Sequence, residues 1–406
     1  MIPSLLEKNP IVVTGLGVFS AAGANVNELW HSVLTGRSSA AWQDFGKDPI
    51  AVCAAPALNL RSPEYRRVCK MDHSVHLALA AARQAWEDAG LSALRPAPTR
   101  LGIIVGTSRG PAGKWVESLR QLDQGRMLPS LAANSTLACL SGVLSVIFQA
   151  QGPSFTVSAT CASSAHAIAL AAQQILLGAA DVMLVGGAEA SLNPGIVLQL
   201  HTAGVLGFHE DPARTCRPFA ADRNGTVLGE GAGFLVLESA RCARERNTPV
   251  LASLAGWALG SEGHQRTGIR EDASGLFQVM TDALQMSGLA ADEIGYVNAH
   301  GTGTPLNDRQ EARALQRTFP DGVPCSSTKP VLGHCMGAGA ALEAVISILA
   351  LQNGLLPPTA HCLPLDPECA LDVVHSEPRR CGVRAVLSNS SGFWGSNASL
   401  VFAAPR

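Results

Sequence analysis

Ser154-Phe-Thr-Val-Ser-Ala-Thr-Cys161-Ala-Ser-Ser-Ala-His-Ala-Ile-Ala-Leu170 changes pattern within a few residues. Ser154 to Ala159 alternates apolar and β-branched residues with small ones and reads as a strand. After Cys161 an Ala-rich run continues to about Leu177 and reads as a long helix. Cys161 is left at the turn between them. A sulfur at a helix N-terminus meets free N–H groups and the positive end of the helix dipole, which favour thiolate. Small neighbours leave its approach open. Taken alone, the position equally suits a buried structural cysteine.

Working outward, strand-like runs alternate with helix-like ones, the mark of an α/β protein. Pro10-Ile-Val-Val-Thr-Gly-Leu-Gly-Val opens the series, although Gly15-Leu-Gly-Val-Phe-Ser lacks the third glycine of a dinucleotide fingerprint. His73 to Ala89 is a helix stopped by Gly90. Leu101-Gly-Ile-Ile-Val-Gly, Asp181-Val-Met-Leu-Val-Gly-Gly and Gly233-Phe-Leu-Val-Leu-Glu are further strands. After Arg246-Asn-Thr-Pro the series restarts with Val250-Leu-Ala-Ser-Leu-Ala-Gly. Ile294 to His300 is a strand, Asp308 to Phe319 a helix and Leu342 to Gln352 an apolar helix. Arg384-Ala-Val-Leu-Ser-Asn and Ala398-Ser-Leu-Val-Phe-Ala close the chain as a strand pair. Two similar halves meet near residues 245–250.

The chain has 406 residues, 47% hydrophobic and only 15% charged, which excludes a disordered protein. Thirty basic residues against 32 acidic ones give a net charge of −2, and nothing in that balance points to nucleic acid. From Met127 to Ala180 there is no Asp, Glu, Lys or Arg. Polar residues and Pro153 interrupt its apolar runs before a membrane-spanning length of roughly 18 residues. That stretch is expected in the buried centre of the fold, or at a subunit interface. Eleven cysteines without a Cys-x-x-Cys pair suit reduced thiols and no metal site. The opening residues carry no signal-peptide apolar region. Together these place the chain in the cytoplasm, off the membrane.

Two histidines share the setting of Cys161. His300 ends a strand in Asn-Ala-His-Gly-Thr-Gly-Thr-Pro, and His334 follows Ser-Ser-Thr-Lys-Pro-Val-Leu-Gly. Both stand at strand-to-loop transitions among glycines, where α/β proteins place binding groups. A thiolate beside two imidazoles suits acyl transfer and stabilisation of a thioester-derived enolate. A cysteine hydrolase would need one histidine and a water. A single histidine here would more often be a structural residue.

At this point the residues resemble the elongating β-ketoacyl-[acyl carrier protein] synthases of the thiolase superfamily. These include enzymes of type II fatty-acid synthesis and ketosynthases of type II polyketide systems. The resemblance rests on Val12-Val-Thr-Gly-Leu-Gly, Lys70-Met-Asp, Cys161-Ala-Ser-Ser, Asp181 to Ala190, Arg217-Pro-Phe, Gly225 to Gly233, Asn298-Ala-His-Gly-Thr, Ser326-Ser-Thr-Lys, Gly333-His and Gly392-Phe-Trp-Gly-Ser-Asn. It implies a thiolase-like five-layered αβαβα fold of two similar halves, residues 1–248 and 249–406. It also implies decarboxylative condensation of an acyl group on Cys161 with malonyl-carrier protein, giving 3-oxoacyl-carrier protein. His300 and His334 would support decarboxylation, and the N–H groups of Cys161 and Phe393 would form the oxyanion hole. Lys329 would act by charge, in a network with Glu343, and Asp308 and Glu311 match acidic positions that would be structural or part of that network. Thr302 and Thr304 would contact the phosphopantetheine arm, which arrives on the carrier protein, so no resident cofactor is implied. Phe393, with Trp394, would gate the site. Arg66, Arg67 and Lys70 match the basic surface that meets the acidic carrier protein. Such enzymes are usually homodimers.

Several positions depart from the family pattern. The nucleophile reads Ala-Thr-Cys where Thr-Ala-Cys is common, which is expected to matter little. Trp394 stands where the gating loop normally has glycine, Ser391 where it has phenylalanine. Ala220, Asn224 and Thr226 differ too, suggesting a specialised fatty-acid, polyene or polyketide pathway. Arg109 falls where an apolar residue usually closes the acyl pocket. Either its guanidinium turns to solvent or an ion pair, or it binds substrate by shortening the pocket or meeting a polar chain end. Two other readings are a catalytic half of a heterodimer with a chain-length factor and a non-catalytic partner subunit. The intact Cys161, His300 and His334 speak against the second. A degradative thiolase would have a second cysteine where Asn389, Ser390 and Ser391 stand.

Overall fold

A computed structural model describes residues 2–46, 49–264 and 270–405. The strands of the main sheet are β1 (Ile11–Ser20), β2 (Leu101–Gly106), β3 (Ser154–Val157), β4 (Val182–Glu189), β5 (Gly231–Ser239), β6 (Ala252–Ser261), β7 (Tyr296–Asn298), β8 (Pro324–Ser326), β9 (Asp372–Val373), β10 (Ala385–Gly392) and β11 (Ser396–Ala403). Among the described residues they form one 11-stranded sheet in the order β9-β8-β7-β10-β11-β6-β1-β5-β4-β2-β3.

The pairing repeats itself. From β1 outward, β1 pairs β5 and β5 pairs β4 antiparallel, then β4 pairs β2 and β2 pairs β3 in parallel. From β6 the other way, β6 pairs β11 and β11 pairs β10 antiparallel, then β10 pairs β7 and β7 pairs β8 in parallel. Three residue pairs between β1 and β6, Ile11↔Leu254 to Val13↔Ala252, join the two sets.

Six helices complete the layers: α1 (His73–Asp88), α2 (Cys139–Phe148), α3 (Ser163–Leu176), α4 (Ser274–Ser287), α5 (Pro305–Thr318) and α6 (Gly339–Asn353). Helices α1 and α2 cover the first set of strands, and α4 lies on the second with α5 beside it. Between the sets lie α3 and α6, which touch each other and strands of both. The order is therefore helix, sheet, helix, sheet, helix. A helix covered on both sides must be apolar all round. Accordingly α6 is buried from Gly339 to Leu351, and its one charge, Glu343, is paired with Lys329. Met336–Asn353 is long and apolar enough to cross a membrane, but 89% of it is buried inside the protein.

The expected elements largely recur, with shifted ends. The strand expected over Ile294–His300 is only Tyr296–Asn298, and α5 begins at Pro305 rather than Asp308. Proline at the first helical turn lacks an N–H that would be unpaired there anyway. The uncharged stretch is not uniformly buried: Met127, Val146 and Leu177 are more than half exposed.

Candidate active site

The nucleophile turn is tight. Thr160 takes φ +51°, a left-handed conformation that strains a β-branched residue. It turns the chain from β3 into the start of α3 with Cys161 at the bend. The Thr160 hydroxyl donates to the Phe393 carbonyl at 3.2 Å, tying this turn to the loop after β10. Having threonine directly before the cysteine therefore has a structural consequence that the sequence did not suggest. The two segments meet so closely that a Cβ on Gly392 would lie 2.0 Å from Thr160 Oγ1. The Phe393 backbone lies close enough to the Cys161 sulfur to favour its thiolate slightly.

Cys161 is buried. Burial pushes its thiol up to about 12, against the opposing pull of the Lys329 charge.

His300 and His334 stand edge to face, ring centroids 5.5 Å apart at 84°. Burial holds His300 well below the ordinary histidine value, helped by the nearby charge of Lys329 and by His334. Burial and Lys329 do the same for His334. Both rings are thus neutral at pH 7. Lys329 donates to the His300 carbonyl, to His300 Nδ1 at 3.4 Å and to Glu343 Oε1 at 2.5 Å. An ammonium has three donors and no acceptor. All three are engaged, so His300 Nδ1 accepts and Nε2 carries the ring proton. Burial pushes Glu343 up to about 7, with Lys329 opposing.

Glu311 accepts from the His300 and Gly301 N–H groups, each at 2.7 Å, and from Asn389 Nδ2 at 2.9 Å. Asp308 accepts from Gly303 and from Phe219 N–H and lies 3.6 Å from Arg223. These two acids hold the backbone of the His300 loop and make no contact with Lys329. Thr302 and Thr304 bond one another at 2.8 Å between their hydroxyls.

Cys161, His300, His334, Thr302, Thr304 and Phe393 line one cavity of about 330 Å³. Leu200, Leu206, Leu228 and Met336 supply its apolar wall, which suits an alkyl chain. Of the two readings of Arg109, the structure fits the first: its side chain is exposed and does not line this cavity, while Glu189 accepts from the Ser108 and Arg109 N–H groups. Trp394 is also exposed and outside the cavity, so its bulk does not fill the entrance. Arg66, Arg67 and Lys70 are exposed on the turns before α1, away from the lining.

The sequence reading missed Glu189. It is buried, pushed up to about 7 by burial, and accepts from Ser108, Arg109 and Gly337 N–H groups. It thereby clamps the loop after β2 to the segment following His334. A lone glutamate at the end of a strand carries no local sign of that role.

Known proteins resemble this chain over nearly its whole length. Residues 8–243 match the family described as Beta-ketoacyl synthase, N-terminal domain, and residues 251–363 match Beta-ketoacyl synthase, C-terminal domain. The chain is 34% identical to 3-oxoacyl-[acyl-carrier-protein] synthase 2 of Coxiella burnetii, covering 98% of this chain and 99% of that one. It is 37% identical to Nodulation protein E of Rhizobium meliloti, over 97% and 98%. The structure of the ishigamide ketosynthase/chain length factor superimposes with a TM-score of 0.89 at 32% identity, covering 98% of this chain and all of that one.

Proposed function

Because the chain belongs to the β-ketoacyl synthase family of condensing acyltransferases, we propose that it joins an acyl group held on Cys161 to the two-carbon unit of malonyl-carrier protein. The observation that carries this reading is one cavity lined by Cys161, two neutral imidazoles and the Phe393 loop.

In the first half-reaction the Cys161 sulfur attacks an acyl-carrier thioester. The new C–S bond forms as the phosphopantetheine thiol leaves with the cysteine proton. The Cys161 and Phe393 N–H groups stabilise the tetrahedral oxyanion. In the second, malonyl-carrier protein binds with its thioester oxygen toward His300 Nε2–H and His334. The C–C bond to the carboxylate breaks and releases carbon dioxide, leaving an enolate that both rings stabilise. Its carbon attacks the Cys161 thioester and expels the cysteine sulfur, which regains a proton. The product is 3-oxoacyl-carrier protein, two carbons longer. Thr302 and Thr304 guide the phosphopantetheine arm, and Phe393 gates the cavity. Arg66, Arg67 and Lys70 offer positive charge to the acidic carrier protein. The arm arrives on the carrier, and the chain keeps no cofactor of its own.

The pathway is a specialised fatty-acid, polyene or polyketide one, supported by the departures from the family pattern at Ala220, Asn224, Thr226 and Ser391. Eleven unpaired cysteines suit the reducing cytoplasm. A homodimer is supported by an open sheet edge at β3 and by exposed apolar side chains. Trp115, Leu119 and Leu122 on the helix Ala112–Asp123 are each more than half exposed, as is Val146 on α2, which packs on β3. A second reading, the catalytic half of a heterodimer, is favoured by the likeness to a ketosynthase/chain length factor structure.

Intact-protein mass after incubation with short, long, unsaturated and carboxylated acyl-carrier proteins tests the reading. We expect an acyl adduct on wild type and none on Cys161→Ala, then a two-carbon-longer product once malonyl-carrier protein is added. An adduct that survives in Cys161→Ala would refute the assignment.

A further inference from the structure

Ser391 lies at the end of β10 and is 4% exposed. Its hydroxyl is buried with no hydrogen-bond partner among the described residues, and the residue lines the cavity that Cys161, His300 and His334 also line. Strand register brings it there. Strands β7 and β10 run parallel with Asn298 opposite Ser388, so His300, just past the end of β7, and Ser391, near the end of β10, lie toward the same end of the sheet. A buried hydroxyl left unpaired costs more than one that never needed a partner. His334 Nδ1 of this lining also lacks a partner among the described residues, whereas other polar side chains here are engaged. The Thr302 and Thr304 hydroxyls bond each other. The Asn224 side chain bonds the Phe208 backbone through both its ends, and Asn307 donates to Asp308. The Thr226 hydroxyl faces the Cys216 sulfur at 4.0 Å.

We propose that the Ser391 hydroxyl donates a hydrogen bond to the carboxylate of the malonyl unit, making Ser391 a binding residue for the extender. This rests on the reaction proposed above. In that reaction the two imidazoles serve the thioester oxygen, so the carboxylate has no donor from them. A carboxylate taken from water into an apolar cavity needs one. Ser391 supplies it without adding a charge that would hold the carboxylate against its departure.

The test is Ser391→Ala, which removes the hydroxyl with little change in volume, assayed with malonyl-carrier protein. Hydrogen bonds to charged groups suggest a rise in KM for malonyl-carrier protein of about tenfold or more. Acylation of Cys161, which involves no malonyl unit, is read separately by intact mass and proceeds at the wild-type rate. A KM within about twofold of wild type would overturn the proposal. So would an equal fall in acylation and in malonyl use, which marks a structural role. If wild type acylates Cys161 yet fails to decarboxylate malonyl-carrier protein, the reaction itself is misassigned and the proposal falls with it.

Discussion

Lys329 organises the chemistry from behind. Its three donors end on the His300 carbonyl, the His300 ring and Glu343, so it fixes a tautomer instead of attacking a substrate. Burial, with its charge in support, keeps both imidazoles below the ordinary histidine value. A depressed pKa means that the neutral ring persists as the pH falls below 6.5. Decarboxylation of malonyl-carrier protein is therefore expected to hold through pH 6.5 and decline only at lower pH. In Lys329→Ala the two rings lose a neighbouring cation and their pKa values rise. The remaining activity is then lost at a higher pH than in wild type, which a pH–rate profile will read. A profile that does not move would show that the charge is irrelevant to the rings. At this scale the sequence was informative where chemistry is rare, at Cys161, His300 and His334. It was silent on Glu189 and on the free hydroxyl of Ser391, because both roles depend on which backbone groups and neighbours the fold brings near.

The junction of the nucleophile turn and the loop after β10 is the critical contact between elements. Thr160 Oγ1 to the Phe393 carbonyl is a single hydrogen bond, and it positions the backbone close to the Cys161 sulfur. Thr160→Ala is expected to slow acylation about tenfold, the effect of one lost hydrogen bond, with the fold intact. Gly392→Ala forces a methyl against that same hydroxyl. The clash should destabilise the protein by about 1–3 kcal/mol, seen as a lower unfolding midpoint. Trp394 takes φ +64° with its ring exposed. Trp394→Gly suits that backbone better, and acylation should stay within about twofold of wild type. Most strands and helices were legible from periodicity and glycine stops. Their ends were not, since the short strand β7 stops where Glu311 captures the His300 and Gly301 N–H groups, a contact from α5 eleven residues on.

Across the whole molecule, the repeat of strand order could be suspected from the restart after residue 246, but the pairing senses needed the structure. The inward helices α3 and α6 were both recognisable as apolar, and neither sequence says that they touch. Arg109 illustrates the limit of matching positions: a residue aligned with a pocket floor has its side chain outside the cavity of this chain. The exposed apolar side chains of the helix Ala112–Asp123 make a prediction at this scale. Wild type should run as a dimer in light scattering, and Leu119→Lys with Leu122→Lys should shift it toward monomer; an unchanged mass would move the interface elsewhere. The position of β11 has a consequence for synthesis. It follows every other strand of this sheet in chain order, yet it sits in the interior between β10 and β6. Domains fold as units as the chain emerges. A ribosome-bound chain that already displays Cys161 therefore still lacks an interior strand of its sheet, and the loop that carries Phe393 is held on both sides only once β11 has emerged to pair with β10.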